Sequence, residues 1–117
     1  MTVTLRRRRA WDTVAMTAAA AQGAFVAVSP DVYRLEAPLT LSTVAALRNL
    51  GLTLIGAAGS ALTLYLAAPE VDSAGLALLI DWLAIARARS CQLHYATPGK
   101  TLLALARLSE VEPLLSP

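Results

Sequence analysis

The chain has 117 residues, of which 56% are hydrophobic and 15% charged, so it is long and apolar enough for one small domain with a packed core. A single cysteine, Cys91, and a single histidine, His94, argue against a disulfide framework, a four-cysteine zinc site and a histidine-rich metal centre. The net charge of +2 comes from Arg6–Arg9, because the rest of the chain holds six basic and eight acidic residues, and we therefore expect no nucleic-acid-binding face.

Residues 1–23 form a basic, alanine-rich extension, which we expect to be flexible and to precede a single domain at residues 24–117. Four arginines and then an uncharged run give the outline of a signal peptide, although Asp12 and several polar residues dilute it. The sequence leaves three interpretations of this extension: a plain leader, a start codon placed too early with Met16 as the later start, or the signal of an exported protein. The arginines would also suit contact with anionic lipid.

The first half of the chain predicts two strands and a helix. Residues 24–29 and 32–36 are short apolar or alternating runs separated by a Pro-Asp turn, which is typical of paired strands. Apolar residues at spacings of three and four then predict a helix, capped by Thr40 or Ser42 and ending near residues 57–59.

The second half alternates strands and helices. Residues 62–67 are continuously apolar, which predicts a central strand buried on both faces. That strand interrupts residues 50–69, an uncharged run of membrane-spanning length, so we do not expect the run to cross a bilayer. The remaining predicted elements are a helix from residue 72 or 73 to about 89, a strand at 91–96, and a helix to about 109 with Thr97 as cap and Pro98 as first residue.

The order β-β-α-β-α-β-α predicts an α/β fold in which helices pack against a mixed sheet. Residues 98–101, PGKT, resemble the end of a phosphate-binding loop, but His94 stands where that loop needs a glycine. We therefore interpret PGKT as a helix start.

No arrangement of reactive side chains indicates catalysis. Cys91 and His94 are three apart on a predicted strand and point to opposite faces, so they form no dyad. Asp72 and Asp81 lie about 13 Å apart along a helix, too far for a carboxylate pair. No complete GxSxG nucleophile elbow surrounds Ser73, and the chain has only one histidine. We predict that the protein is not an enzyme and uses no metal or cofactor.

The segment VDSAG at residues 71–75 is the remaining candidate site. It leads into a helix N-terminus, where free N–H groups and the helix dipole would favour an anion such as a phosphate on Ser73. The alternative is that Asp72 or Ser73 is only the helix cap. The small residues Ala74 and Gly75 would leave this end open to a partner surface.

The D-S-x-G pattern at Asp72 to Gly75 resembles the hallmark of the STAS domain family, and the resemblance extends from about Ala24 to Leu115. That family includes anti-anti-sigma factors and MlaB, the small STAS subunit of the bacterial Mla phospholipid transporter. Residues 75–87, with Trp82, and residues 111–115 resemble the MlaB branch. Anti-anti-sigma factors typically carry DSSGLG, whereas this chain has DSAGLA.

The resemblance implies a STAS fold and a non-catalytic subunit that binds and regulates an MlaF-like ATPase of an ABC transporter. The ATPase would connect this subunit indirectly to the inner-membrane permease. Such a subunit is cytoplasmic, peripheral to the inner membrane, has no direct small-molecule substrate and supports outer-membrane lipid asymmetry. Ser73 would be the regulatory, phospho-acceptor-like residue. The implied partner-binding residues are Asp72, Ser73, Ala74, Gly75 and Leu76. The alternative is an anti-sigma factor antagonist switched by serine phosphorylation.

Overall fold

A computed structural model describes residues 23–115. The predictions made for the leader, for the start at Met16 and for lipid contact by Arg6–Arg9 lie outside these residues. The elements are β1 (Phe25–Ser29), β2 (Val32–Leu35), α1 (Val44–Ala57), β3 (Ala61–Leu66), α2 (Ser73–Ala88), β4 (Gln92–Ala96), α3 (Lys100–Leu108) and α4 (Glu112–Leu115). The predicted α/β order is confirmed, and the short helix α4 follows it.

The four strands form one mixed sheet in the order β1-β2-β3-β4. Strand β1 is antiparallel to β2, whereas β2, β3 and β4 are parallel. Leu35 lies opposite Leu66, and Leu64 lies opposite Tyr95, so large apolar side chains pair across neighbouring strands in two adjacent rows. The carboxyl ends of the three parallel strands meet at one edge, from which the chain leaves toward α1, α2 and α3.

One face of β3 is buried and the other is open. Leu62, Leu64 and Leu66 are each at most 6% exposed, whereas Tyr65 is 39% exposed and Thr63 is half-buried. The prediction of a strand buried on both faces is therefore wrong. Side chains alternate along a strand, and the two hydroxyl-bearing residues occupy the face that stays in contact with water.

Trp82 of α2 lies at the centre of the core and is fully buried. Its indole packs directly against Gly51 of α1, and its Nε1 donates to the carbonyl oxygen of Arg48 at 3.4 Å. The Phe25 ring lies 5.9 Å from the indole at an interplanar angle of 53°. At the surface, Arg48 also pairs with Asp81 at 2.9 Å, so a salt bridge joins the same two helices.

Two helices begin later than predicted. Thr43 is the N-cap of α1 in place of Thr40 or Ser42, and its hydroxyl donates to the carbonyl oxygen of Pro38 at 2.6 Å without capping the helix. Gly99 is the N-cap of α3 in place of Thr97. Thr97 has a left-handed backbone with φ of 52°, and its hydroxyl donates to the adjacent carbonyl of Ala96, so it cannot cap the helix.

Residues 50–69 divide as predicted, since α1 ends at Ala57 and β3 begins at Ala61. Within residues 23–115, no helix has the length and apolar character needed to cross a membrane.

The contact between Gly51 and Trp82 makes a testable prediction. A Cβ atom on Gly51 would lie 2.2 Å from Cε2 of the buried indole, so we expect Gly51→Ala to destabilise the fold by about 1–3 kcal/mol. The loss would outweigh the helix-propensity gain of about 1 kcal/mol. Urea unfolding monitored by circular dichroism would measure it.

Gly56→Ala, in the same helix, is the matched control. Its Cβ would lie 3.2 Å from Nη1 of Arg89, the end of a flexible exposed side chain that can move away. We expect this variant to be as stable as the wild type or slightly more stable. Equal stabilities of the two variants would contradict the close packing of Trp82 on α1.

Candidate functional site

The candidate site forms where the chain leaves β2 and β3 at the carboxyl edge of the sheet. The two segments run side by side beyond the strands: Leu39 N donates to the Glu70 carbonyl at 2.8 Å, and Asp72 N donates to the Leu39 carbonyl at 3.0 Å. Leu39 and Val71 form an isolated parallel bridge between them. The residues that precede α2 are thus fixed against those that precede α1.

The carboxylate of Asp72 caps α2 and joins the two segments. Its Oδ1 accepts from the N–H groups of Ala74 at 2.9 Å and Gly75 at 3.1 Å, and its Oδ2 accepts from Leu41 N–H at 3.0 Å. The Leu41 bond lowers the pKa of Asp72 most, followed by the Gly75 bond, and these donors outweigh the opposing effect of desolvation. Asp72 is therefore the helix cap, one of the two roles that the sequence left open.

This cap changes the expectation of an anion at the helix start. The N–H groups of Ala74 and Gly75, which were expected to be free, donate to Asp72 instead. A phosphate on Ser73 would meet a carboxylate of the same charge and would compete with it for these donors. Two N–H groups of the first helical turn are thus already hydrogen-bonded to a side chain of the protein itself.

The five predicted partner-binding residues differ in their exposure. Ser73 is the first residue of α2 and is exposed, whereas Asp72 and Ala74 are half-buried. Gly75 is buried, and the side chain of Leu76 is 4% exposed within the core. The structure brings all five together in one helical turn, with Ser73 at the surface and the last two beneath it.

Gly75 allows α2 to approach the Leu39 segment. A Cβ atom at this position would lie 2.0 Å from the carbonyl oxygen of Leu39 and 2.6 Å from its carbonyl carbon. Those atoms belong to backbone held by the bonds to Glu70 and Asp72, so they cannot move aside easily. The glycine of the D-S-x-G pattern is thus explained by packing.

Leu41 is a member of the site that the sequence analysis missed. Its side chain is 75% exposed, although its N–H donates to Asp72. An isolated leucine between Thr40 and Ser42, outside any helical or strand periodicity, was the available signal.

A cavity of about 350 Å³ opens beside the same edge of the sheet. Its walls combine aliphatic side chains with polar groups, among them Glu70 at the end of one segment and Lys100 at the start of α3. The PGKT residues contribute Gly99, Lys100 and Thr101 to this cavity, and α3 begins at Lys100 as an ordinary helix.

The other reactive side chains lie apart from this site. Cys91 is 5% exposed, and burial, with a smaller effect of Asp31, raises the pKa of its thiol, which makes it a poor nucleophile. His94 is exposed in β4, and Asp81 is paired with Arg48. Across the residues that the structure describes, no group of three or more His, Cys, Asp or Glu residues is arranged to hold a metal ion.

A comparison with protein families gives one match: a model described as "Mlab, STAS domain" aligns with residues 26–116, which include the whole Asp72–Gly75 pattern. The chain belongs to this MlaB-like STAS family. STAS domains are generally non-catalytic regulatory domains. A search of curated proteins found no match. The alignment begins near the start of β1, and the domain boundary at residue 24 remains a prediction.

Gly75→Ala should be among the most damaging small substitutions in this STAS domain. The new methyl group would overlap the Leu39 backbone, so we expect a loss of at least about 3 kcal/mol of folding free energy or no folded protein. Chemical denaturation beside Gly56→Ala would test it. A Gly75→Ala variant as stable as that control would contradict the contact.

The cap predicts a pH-dependent stability. Because the pKa of Asp72 is lower in the folded protein, its ionised form contributes stability above the ordinary aspartate pKa of about 3.9, and this is lost as the pH falls through the lowered value. Asp72→Asn keeps one side-chain oxygen, which can accept from the helix amides at the position of Oδ1. The side-chain nitrogen then takes the position of Oδ2 and cannot accept from Leu41 N–H. We expect a melting temperature a few degrees lower at pH 7.

Thermal melts of both proteins from pH 7 to pH 2.5 would measure the difference. The difference in melting temperature between the two proteins should be constant above about pH 5. It should become smaller at more acid pH as Asp72 takes up a proton. A gap that does not change with pH would show that the charge on Asp72 is not what stabilises the cap.

Proposed function

We propose that this STAS domain is a non-catalytic subunit that binds and regulates the ATPase of a phospholipid ABC transporter of the Mla type, which maintains outer-membrane lipid asymmetry. The observation that carries this proposal is the match of an MlaB-type family model to residues 26–116. The protein would act in the cytoplasm, bound to the inner membrane through its ATPase partner and indirectly through the permease. It would bind no nucleic acid, cofactor or small-molecule substrate of its own.

The geometry at Ser73 supports a docking role. The hydroxyl lies on the exposed first turn of a helix whose N-terminus is fixed twice, by the Asp72 bond to Leu41 and by the close contact of Gly75 with Leu39. A surface that is already ordered loses little conformational entropy when a partner binds. ATP hydrolysis would belong to the partner, because PGKT lacks the phosphate-loop glycine.

The alternative function is an anti-sigma factor antagonist switched by phosphorylation of Ser73. The exposure of Ser73 favours it, since a kinase could reach the hydroxyl. The cap disfavours a stable phosphoserine, because Asp72 already occupies the N–H groups of Ala74 and Gly75. The transporter subunit therefore remains the leading proposal.

A pull-down from the native host would separate the two functions. We expect the tagged wild-type chain to retain an ABC-type ATPase and Ser73→Glu to lose it, since the new carboxylate would place a second negative charge beside Asp72 at a packed interface. The bound proteins would be identified by mass spectrometry.

Ser109→Glu is the matched control, because Ser109 is also exposed but lies at the far end of α3. We expect it to retain the ATPase. Capture of a kinase-like anti-sigma factor in place of the ATPase would instead support the alternative, and loss of the ATPase by both variants would show that Ser73 is not a specific contact.

A further inference from the structure

Leu41 has an exposed apolar side chain, and its backbone is hydrogen-bonded to Asp72, the residue before Ser73. The large hydrophobic residues of the described chain that remain exposed are Val28, Leu41, Tyr65, Leu108 and Leu114. Of these, Leu41 is hydrogen-bonded to the candidate site, because its N–H donates to Oδ2 of Asp72 at 3.0 Å. Its side chain is nevertheless 75% exposed.

The backbone around Leu41 is ordered on both sides. Leu39 is held by its bridge to Val71, and Thr40 N–H donates to the hydroxyl of Thr43 at 3.1 Å. With the bond from Leu41 to Asp72, three consecutive residues have a fixed backbone. A leucine presented in this way loses little freedom on binding, which is the property of an interface anchor.

The charges near Leu41 indicate the chemistry of the partner. Glu70 is exposed and Asp72 half-buried, and neither belongs to an ion pair among residues 23–115. Lys100 lines the cavity beside Glu70 but forms no ion pair with it within 4.0 Å. A basic group on a partner would be attracted to this edge.

We propose that Leu41 is the apolar anchor of the interface at Ser73, and that it enters an aliphatic hollow on the ATPase whose rim carries arginine or lysine facing Glu70 and Asp72. The inference rests on the proposed function, because that function supplies the partner. The inference adds Leu41, which precedes α1, to the interface. It also states that the contact surface of the ATPase is an aliphatic hollow with a basic rim. An interface of this kind has a buried apolar centre and a polar rim.

The anchor is tested by binding of the purified ATPase to the full chain, measured by calorimetry. We expect Leu41→Ala to weaken binding about 10- to 100-fold. Leu108→Ala is the matched control, since Leu108 is 83% exposed at the end of α3, and we expect its affinity to stay within about twofold of the wild type. Equal melting temperatures would show that both variants are folded.

The charge is tested by the association rate at several salt concentrations. We expect Glu70→Lys to slow association about tenfold at low salt and to reduce its salt dependence. Glu110→Lys, an exposed acidic position after α3, should behave as the wild type. Equal rates for the two variants would overturn the basic rim.

The outcomes distinguish this inference from the proposed function. If the wild type binds the ATPase and Ser73→Glu does not, but Leu41→Ala binds as tightly as the wild type, the anchor is wrong and the function stands. If the wild type does not bind the ATPase, the proposed function fails, and the anchor fails with it.

Discussion

The carboxylate of Asp72 joins two segments that are far apart in sequence and forms the site from them. One oxygen accepts from the first turn of α2, and the other accepts from Leu41, 31 residues earlier in the chain. Neither segment belongs to a strand at this point, so the sheet alone would not fix their spacing. Gly75 completes the joint, because only a residue without Cβ lets α2 approach Leu39 so closely. The D-S-x-G pattern is therefore first a packing motif.

This packing determines what the surface can offer. A helix N-terminus with free amides would bind an anion, but here the N–H groups of Ala74 and Gly75 donate to Asp72. What remains at the surface is the Ser73 hydroxyl, the Leu41 side chain and the negative charge of Asp72 and Glu70. Such a surface is suited to recognition by shape and charge, which is consistent with a regulatory domain that binds a protein.

The sequence predicted the order of strands and helices because each has its own hydrophobic period and is bounded by Gly, Pro or polar residues. It placed the caps of α1 and α3 wrongly, since the start of a helix depends on the backbone before it, such as the bonds from Thr43 and Val44 N–H to the Thr40 carbonyl and the left-handed conformation of Thr97. Composition suggested that β3 is buried on both faces, but Thr63 and Tyr65 lie on its open side.

Much of the site was also predictable, with one exception. The residues from Asp72 to Gly75 form a contiguous pattern that could be read directly, and the structure places them in one helical turn. Leu41 could not be placed there, because its position depends on a single long-range bond between a backbone N–H and a side chain. An isolated leucine between Thr40 and Ser42 stands outside the periodicity, but local sequence does not say which residue it contacts.

Helix α2 is fixed at its middle as well as at its start. Trp82 packs against Gly51, and the buried hydroxyl of Tyr95 donates to the carbonyl of Leu79 at 2.6 Å. Burial raises the pKa of Tyr95 well above its ordinary value, so the hydroxyl keeps the proton that it donates. A partner that contacts Ser73 therefore meets a helix held along more than two turns. In the proposed function, such rigidity would favour regulation by docking or release of the whole domain over movement of α2 within it.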